Sequence, residues 1–580
     1  MEKPRIGVYI CHCGINIAGT VDIKAVVEYA SGLPDVAVAR DYAYVCSDPG
    51  QTMIRDDIRS MRLNRIVVAA CSPRMHELTF QKTLRDAGLN PYLLDVANLR
   101  EQCSWPHAEL HEDATEKAKQ LVSMSVARVA LLEPLEMRTV GVEKACLVVG
   151  GGIAGIKAAL ELANSGFKVY LVERSPTIGG HMAQLDKVFP TLDCSACILT
   201  PMMVTVSHHP NIELLAYSEV REVEGYVGNF HVTVTRKPRY VDTARCTGCG
   251  TCAQKCPVRA PDEFNLGLGS RKAIYVPFPQ AVPLKYTIDR DRCLYFQKGV
   301  CRVCEKFCTA GAVDLDQEPE DLELQAGTII VATGYDLYDI QQLREYGYGR
   351  HKNIIVSLQM ERILNAAGPT QGKIVRPSDG KEPRSVAFIL CAGSREDAGL
   401  QYCCRVGCIT AVKQACMLKD HLKEGVTVYI CYTDLRTFGK GHEEMYTRAR
   451  EAGVVFVRGR PSEVQALPDG SLVFDVFDTI TQRLLRINAD MVVLQPGLVP
   501  RPETEALKGI LKLQTSPDGF LLEAHPKLRP NETVVDGVFI AGTVQGPKDI
   551  TDTVAHAGAA AATAGSLMAR GVFEVPPIVA

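Results

Sequence analysis

The chain has 580 residues, 46% of them hydrophobic, and a formal net charge of -3. That length predicts about three or four domains with filled cores, and a near-neutral balance without a Lys/Arg-rich run excludes a nucleic-acid-binding surface. No apolar span reaches the ~20 residues of a membrane helix and the opening MEKPRIGVYI is too short for a signal-peptide core, so a soluble, cytoplasmic chain is expected. In that compartment its 22 cysteines imply metal or redox work rather than disulfides.

Residues 1–140 read as an α/β domain. GVYICHCG, RIVVAACSPRMHE and YLLDVANLREQCSW alternate apolar strands with helical stretches, and the strand ends deliver Cys11 and Cys13, Cys46 from YVCSDPG, Cys71 and Cys103. Thiols at the carboxyl ends of strands converge on one rim, where ligand sites belong. Four of these five are expected to hold an iron-sulfur cubane, with buried core cysteines as the alternative. His12, His76 and His107 flank them and read as hydrogen-bonded structural residues, while Cys146, Cys416 and Cys431 read as core.

Residues 141–240 open a dinucleotide-binding unit. CLVVGGGIAGIKAALELANSGFKVYLVERSPTIGG is a strand, a glycine turn, a helix and a second strand. Gly150 permits the sharp turn, Gly152 lets backbone approach a pyrophosphate and Gly155 lets the helix pack on the strand, with Ile153 and Ala154 opening that helix. Glu173, beside Arg174, ends the second strand where a ribose-binding acid belongs, and Gly179 and Gly180 suit a second backbone approach. Next comes LDCSACILTP, with Cys194 and Cys197 as a CxxC pair. Two readings stand open for it: a redox-active dithiol, or ligation of a cluster by Cys197 together with the Cys403 group.

Residues 241–315 interrupt that unit. CTGCGTCAQKCP carries Cys246, Cys249, Cys252 and Cys256, and CLYFQKGVCRVCEKFC carries Cys293, Cys301, Cys304 and Cys308. This is two-cluster ferredoxin spacing: three thiolates of each cubane come from one loop, and the fourth, Cys256 or Cys308, crosses to the other cluster. Structural zinc is the competing reading of a CxxC pair, and the duplicated order with a trailing Cys-Pro argues against it.

The dinucleotide unit resumes over 316–383 and closes over 496–580. TIIVATGYD, with Ala332, Thr333 and Gly334, and GVFIAGTVQGPKDITDTVAHAGAAAATAG, with Gly542, resemble the FAD-contact segments of the flavoprotein disulfide reductases, among which thioredoxin reductase is the smallest. That family has an acid where this chain has Thr543. Residues 384–495 occupy the place of its nicotinamide domain, but the phosphate turn is replaced by CAGSRE, with Cys391 at the turn, followed by Cys403, Cys404 and Cys408 in QYCCRVGC. A thiolate metal site in place of pyridine-nucleotide binding is expected there. The predicted fold is therefore α/β: a thioredoxin-reductase-like, FAD-binding pair of Rossmann units with an inserted two-cluster ferredoxin subdomain and an N-terminal α/β domain.

From CHCGINIAG through CSPRMHE, NLREQCSW, GGHMAQLDKVFPTLDCSACILTP and QYCCRVGC, the whole chain resembles the A-type iron-sulfur subunits of heterodisulfide reductase. The resemblance implies an FAD and [4Fe-4S] electron-distributing oxidoreductase component of anaerobes, connected with methanogenesis. It also implies B and C type partner subunits that reduce a disulfide, a hydrogenase or formate dehydrogenase module as electron input, and ferredoxin as a candidate acceptor in flavin-based electron bifurcation. A dimer within a larger complex is expected. Full-length members continue into a second ferredoxin module, which this chain is expected to lack, and Cys404 and Gly407 depart from the family's usual cysteine pattern. The alternative is a stand-alone disulfide reductase using NAD(P)H and the Cys194, Cys197 dithiol.

Overall fold

A computed structural model describes residues 3–136 and 138–575. The chain divides into two compact units, one built on the first 140 residues and one on 141–524 and 529–573.

In the first unit, strands β1 (Ile6–Cys11), β2 (Val36–Tyr42), β3 (Arg65–Ala70) and β4 (Leu94–Asn98) form a parallel sheet in the order β2-β1-β3-β4. β1 and β3 are buried along their whole length, as central strands covered on both faces must be, which is why both read as unbroken apolar runs. One covering helix, α1 (His111–Ala130), buries Ala114, Ala118, Val122, Val126 and Val129, a stripe at helical spacing.

The second unit contains two parallel five-stranded sheets. The first is built from β5 (Ala145–Val149), β6 (Lys168–Glu173), β7 (Ile212–Ala216), β8 (Thr328–Val331) and β9 (Val538–Ile540) in the order β7-β6-β5-β8-β9. Helices α2 (Ile153–Asn164) and α3 (Ile550–Arg570) pack against one another on this sheet. Segments separated by almost four hundred residues thus share one layer. The second sheet runs Ile354–Val356, Met491–Pro496, Ser385–Ala392, Thr427–Tyr432, Val455–Arg458. Its edge strand Ile354–Val356 falls inside the 316–383 stretch that was expected to belong to the dinucleotide unit. A three-residue strand carries no periodicity from which its partner can be read.

The cysteine-rich insert leaves one antiparallel hairpin strand and returns on its neighbour. Asn229–Arg236 pairs with Glu320–Ala326, and Arg236, which ends the strand before the insert, stands opposite Glu320, which starts the strand after it, with an ion pair of 2.8 Å between them.

Candidate functional site

The carboxyl edge of the first sheet opens into a cavity lined by Gly150, Gly152, Ile153, Ala154, Glu173, Gly180, Ala332, Thr333 and Gly334 among others. Its glycine turn is built for close approach. Gly150 has φ 111°, and a Cβ there would stand 2.4 Å from the Ala332 carbonyl oxygen; one on Gly155 would stand 1.8 Å from the Gly150 carbonyl oxygen. Only residues 150–152 separate β5 from α2, so the free N–H groups of the first helical turn face the cavity mouth. The Glu173 carboxylate is held by the Gly151 and Ser175 N–H groups at 2.7 and 2.8 Å. A second cavity of about 710 Å³, lined by Arg174, Ser218 and Leu507, shares Gly150, Glu173, Thr333 and Arg501 with the first. Two linked chambers joined at a glycine turn and an acid suit a dinucleotide's two ends. Among the described residues, the buried Thr333 Oγ1 and Gln495 Oε1 have no hydrogen-bond partner, and both residues line the larger chamber, which is what a polar ligand would satisfy.

Gly155 and Gly179 serve this site from behind. Gly179 donates its N–H to the Gly151 carbonyl at 2.8 Å. Gly542 donates to His556 Nδ1 at 3.0 Å, while its neighbours Ala541 and Thr543 line the cavity.

Several walls of the larger chamber carry no sequence signal. Glu361 lines it and forms a 2.7 Å ion pair with Lys413, their side chains 1% and 2% exposed. Lys413 Nζ also donates to the Lys187 carbonyl at 2.7 Å, so the pair is desolvated yet hydrogen-bonded, the only form in which such charges are tolerable. His181 lines the same wall, stacks on Tyr335 at 4.6 Å and bonds Gln184 and the Tyr335 carbonyl. Burial, reinforced by Arg501, holds its imidazole below the ordinary range. These residues come from distant segments and share no local motif.

The second parallel sheet shows why the homologous turn there is not a phosphate cradle. Between Ser385–Ala392 and helix α4 (Gly407–Leu422) the chain runs through residues 393–406, a long loop where β5 and α2 are joined by a tight turn. Cys391 ends the strand, Cys403 and Cys404 sit in the loop, and Cys408 lies in the first turn of the helix. The electrostatic fields of these thiols overlap: Cys391 and Cys403 act on Cys408, and Cys403 and Cys391 on Cys404. A hydrogen bond from the Cys404 thiol, the Arg405 N–H and the charges of Arg436 and Arg395 bring Cys403 down to about 5, against its partial burial. Burial pushes Cys408 up to about 11. Gly407 is demanded by crowding, since a Cβ there would lie 2.7 Å from Gln495 Cγ and 2.9 Å from Cys404 Sγ. Ser394 Oγ, Arg395 Nη1 and Glu396 Oε1 are buried without partners in the same loop. Val406 and Gln495 line the larger chamber, so this thiol group abuts it.

In the insert, Cys256, Cys293, Cys301 and Cys304 line one small cavity. Cys256 thus faces the second cysteine set although it follows the first in sequence. Cys246 and Cys249 act electrostatically on Cys252. Cys308 accepts the Ala312 N–H at 3.3 Å and, with Cys293 and Cys304, packs on the apolar cluster that contains Cys246, Cys252 and Cys256. Among the described residues no three His, Cys, Asp or Glu side chains close on a single-ion site.

Matches to known proteins follow this geometry. The family described as pyridine nucleotide-disulphide oxidoreductase matches residues 144–564. The chain is 55% identical to the A-type subunit of the H(2):CoB-CoM heterodisulfide,ferredoxin reductase of Methanothermobacter thermautotrophicus, a match covering 100% of this chain and 87% of that one. It is 52% identical to the A-type iron-sulfur subunit of the CoB-CoM heterodisulfide reductase of Methanocaldococcus jannaschii, covering 99% of this chain and 87% of the relative. The chain belongs to the family of heterodisulfide reductase A-type subunits. Among solved structures, thioredoxin reductase from T. acidophilum is 16% identical with a TM-score of 0.40, covering 73% of this chain and 99% of that one. Membership makes this family member an oxidoreductase with a role in redox electron transfer, and supports FAD as the dinucleotide of the two-chambered cavity.

The N-terminal unit of this heterodisulfide reductase relative sets four of its five strand-end cysteines together. Cys11, Cys13, Cys46 and Cys71 are neighbours: Cys13 and Cys46 act on Cys11, and Cys13 and Cys11 on Cys71. The Cys13 N–H donates to Cys11 Sγ at 3.3 Å. Cys103, expected on the same rim, is fully buried and donates to the Ala114 carbonyl at 3.1 Å. The cause is a π-helical turn at Arg100–Ser104, whose wider winding separates positions i and i+3 that an α-turn would set on one face. His12 bonds Asp41 at 2.6 Å and His107 the Cys103 carbonyl at 2.8 Å. Cys146, Cys416 and Cys431 are buried.

Cys194 and Cys197 are joined in a disulfide at the start of the helix Ser195–His208, where Cys194 Sγ accepts the Cys197 N–H at 3.2 Å. Cys197 is therefore paired with its own motif partner rather than with the Cys403 group. Neither cysteine lines the two-chambered cavity. No described helix is long and apolar enough to cross a membrane.

Proposed function

We propose that this chain is the flavin and iron-sulfur electron-distributing component of a heterodisulfide-reductase-type complex. The observation that carries the reading is the contact between the flavin cavity and the Cys391, Cys403, Cys404, Cys408 group, made through Gln495 and Gly407. Bound in these sites, FAD supplies the exchange between two-electron and one-electron transfer, and [4Fe-4S] clusters supply one-electron steps. Cys246, Cys249, Cys252 and Cys308 would hold one cluster, and Cys256, Cys293, Cys301 and Cys304 a second. Cys391, Cys403, Cys404 and Cys408 would hold a third, and Cys11, Cys13, Cys46 and Cys71 a fourth. The domain boundaries follow the sequence reading, with Ile354–Val356 moved to the nicotinamide-type domain.

The chain's own residues do the remaining work. Gly150, Gly152 and the first turn of α2 seat a pyrophosphate on backbone N–H groups, and Glu173 orients a ribose. Burial keeps His181 neutral against the chamber wall, and the Lys413–Glu361 pair places a fixed dipole beside it. The names of relatives include H(2), formate and ferredoxin. They support hydrogenase or formate dehydrogenase input, B and C type disulfide-reducing partners, and ferredoxin as the second acceptor of a bifurcating flavin. Anaerobic purification with those partners, followed by iron, sulfide and flavin counts and a stepwise redox titration, tests this reading. Colourless, iron-free material would overturn it.

The Cys194–Cys197 disulfide favours a second reading, a self-contained disulfide reductase. The 393–406 loop in place of a phosphate turn argues against its NAD(P)H donor. NADH oxidation by the isolated flavoprotein would decide for it.

A further inference from the structure

Arg100 sits beside three of the four N-terminal thiols, Cys13, Cys46 and Cys71, with its side chain only 14% exposed. Its Nη1 donates to Cys13 Sγ at 3.3 Å and its Nη2 reaches Met75 Sδ at 2.9 Å. Its charge also acts on Cys46 and Cys71. The π-turn that rotates Cys103 into the core is the same turn that opens with Arg100. Its bonds run from Ser104 N to the Leu99 carbonyl at 2.9 Å and from Trp105 N to the Arg100 carbonyl at 3.0 Å, a winding that recurs at functional sites. The exposed Trp105 ring covers the guanidinium at 4.9 Å. A counter-charge faces it: Glu101 Oε1 pairs with Arg100 Nη2 at 2.7 Å, while Glu101 Oε2 is fixed by the Ser72 N–H at 2.8 Å.

Resting on the reading that these four thiols hold a cluster, we propose that Arg100 is a positioning residue that raises the reduction potential of the N-terminal centre, with Glu101 setting how far. The physical basis is charge. One electron entering a thiolate-held cluster adds one negative charge and no proton, and a guanidinium that donates to a ligand sulfur stabilises that added charge. A fixed carboxylate against the guanidinium opposes it. The unit therefore carries two substitutions of opposite sign within one hydrogen-bonded pair.

The test uses the full chain, purified anaerobically and titrated with dithionite while its paramagnetic signals are followed. Cys71→Ser first identifies the centre, through loss of one cluster's iron and one signal. Arg100→Gln is then expected to keep the iron and to lower the midpoint of that signal alone, and Glu101→Gln to raise it. An unmoved midpoint in Arg100→Gln with iron retained overturns the proposal, as does an equal shift of every centre. If Arg100→Gln fails to hold iron, Glu101→Gln decides: a rise supports the proposal and no rise overturns it. Full iron and an unchanged spectrum in Cys71→Ser would instead remove the cluster on which the proposal rests, a failure visible before either charge variant is made.

Discussion

Gly407 and Gln495 are in contact across the boundary between the flavin chamber and a group of four thiols, so closely that a Cβ on the glycine would lie 2.7 Å from Gln495 Cγ. Helix propensity alone would favour alanine at such a position by about 1 kcal/mol. Overpacking a site with the Gln495 side chain and the Cys404 sulfur on either side costs roughly 1–3 kcal/mol, so crowding wins. Gly407→Ala is expected to destabilise the chain and to disturb flavin and iron together, because Gln495 and Cys404 must both give way. Flavin and iron contents of the purified variant, set against its thermal midpoint, check this; normal contents with a raised midpoint would contradict it.

The Lys413–Glu361 pair yields a prediction in stability. Removing one partner strands a buried charge, at a cost of roughly 3–5 kcal/mol. Lys413→Met should therefore unfold at markedly lower denaturant, whereas Lys413→Met with Glu361→Gln should recover part of the loss. The Glu361 carboxylate now accepts from the Gln414 amide on one oxygen and from the Asp186 N–H on the other, and glutamine keeps an acceptor for one of the two. Urea melts of wild type, Lys413→Met, Glu361→Gln and the double variant measure the coupling, and additive losses would show that the two charges do not depend on one another.

Cys256 gives a spectroscopic prediction. Because it lines a cavity with Cys293, Cys301 and Cys304, Cys256→Ser is expected to perturb the same paramagnetic signal as Cys301→Ser, and a different one from Cys252→Ser. A shared phenotype of Cys252→Ser and Cys256→Ser, absent from Cys301→Ser, would assign the ligands by sequence neighbourhood instead.

What was legible in the sequence shares one property: its information is local. The strand, glycine turn and helix at 145–164, the acid that follows and the two cysteine sets all declare themselves within a few residues, and even the crossing of Cys256 follows from the fixed geometry of short loops. Legibility stopped where long-range packing decides. Glu361 and Arg501 reach the chamber from separate parts of the chain, Lys413 pairs with Glu361, and all three look like ordinary surface charges in sequence. Cys103 lies in the π-helical turn Arg100–Ser104 and is buried, a placement no local motif announces. Ile354–Val356 is too short to announce which sheet it joins.

Lys548 supplies a prediction in pH. It lines the flavin chamber, and burial, reinforced by Arg405, pushes its ammonium down from 10.5 to about 8. Below about 8 folded and unfolded chains are both protonated and the full cost of burying the charge is present. Between about 8 and 10.5 the unfolded chain holds a proton that the folded chain has released, so this group makes stability rise with pH. In the flavin-free protein, Lys548→Met removes the charge and is expected to be more stable than wild type near pH 7. That advantage should shrink steadily toward pH 10, as the wild-type lysine becomes neutral. Thermal melts of both proteins across that range provide the measurement, and a difference that stays constant with pH would show that the Lys548 ammonium is not depressed in the fold.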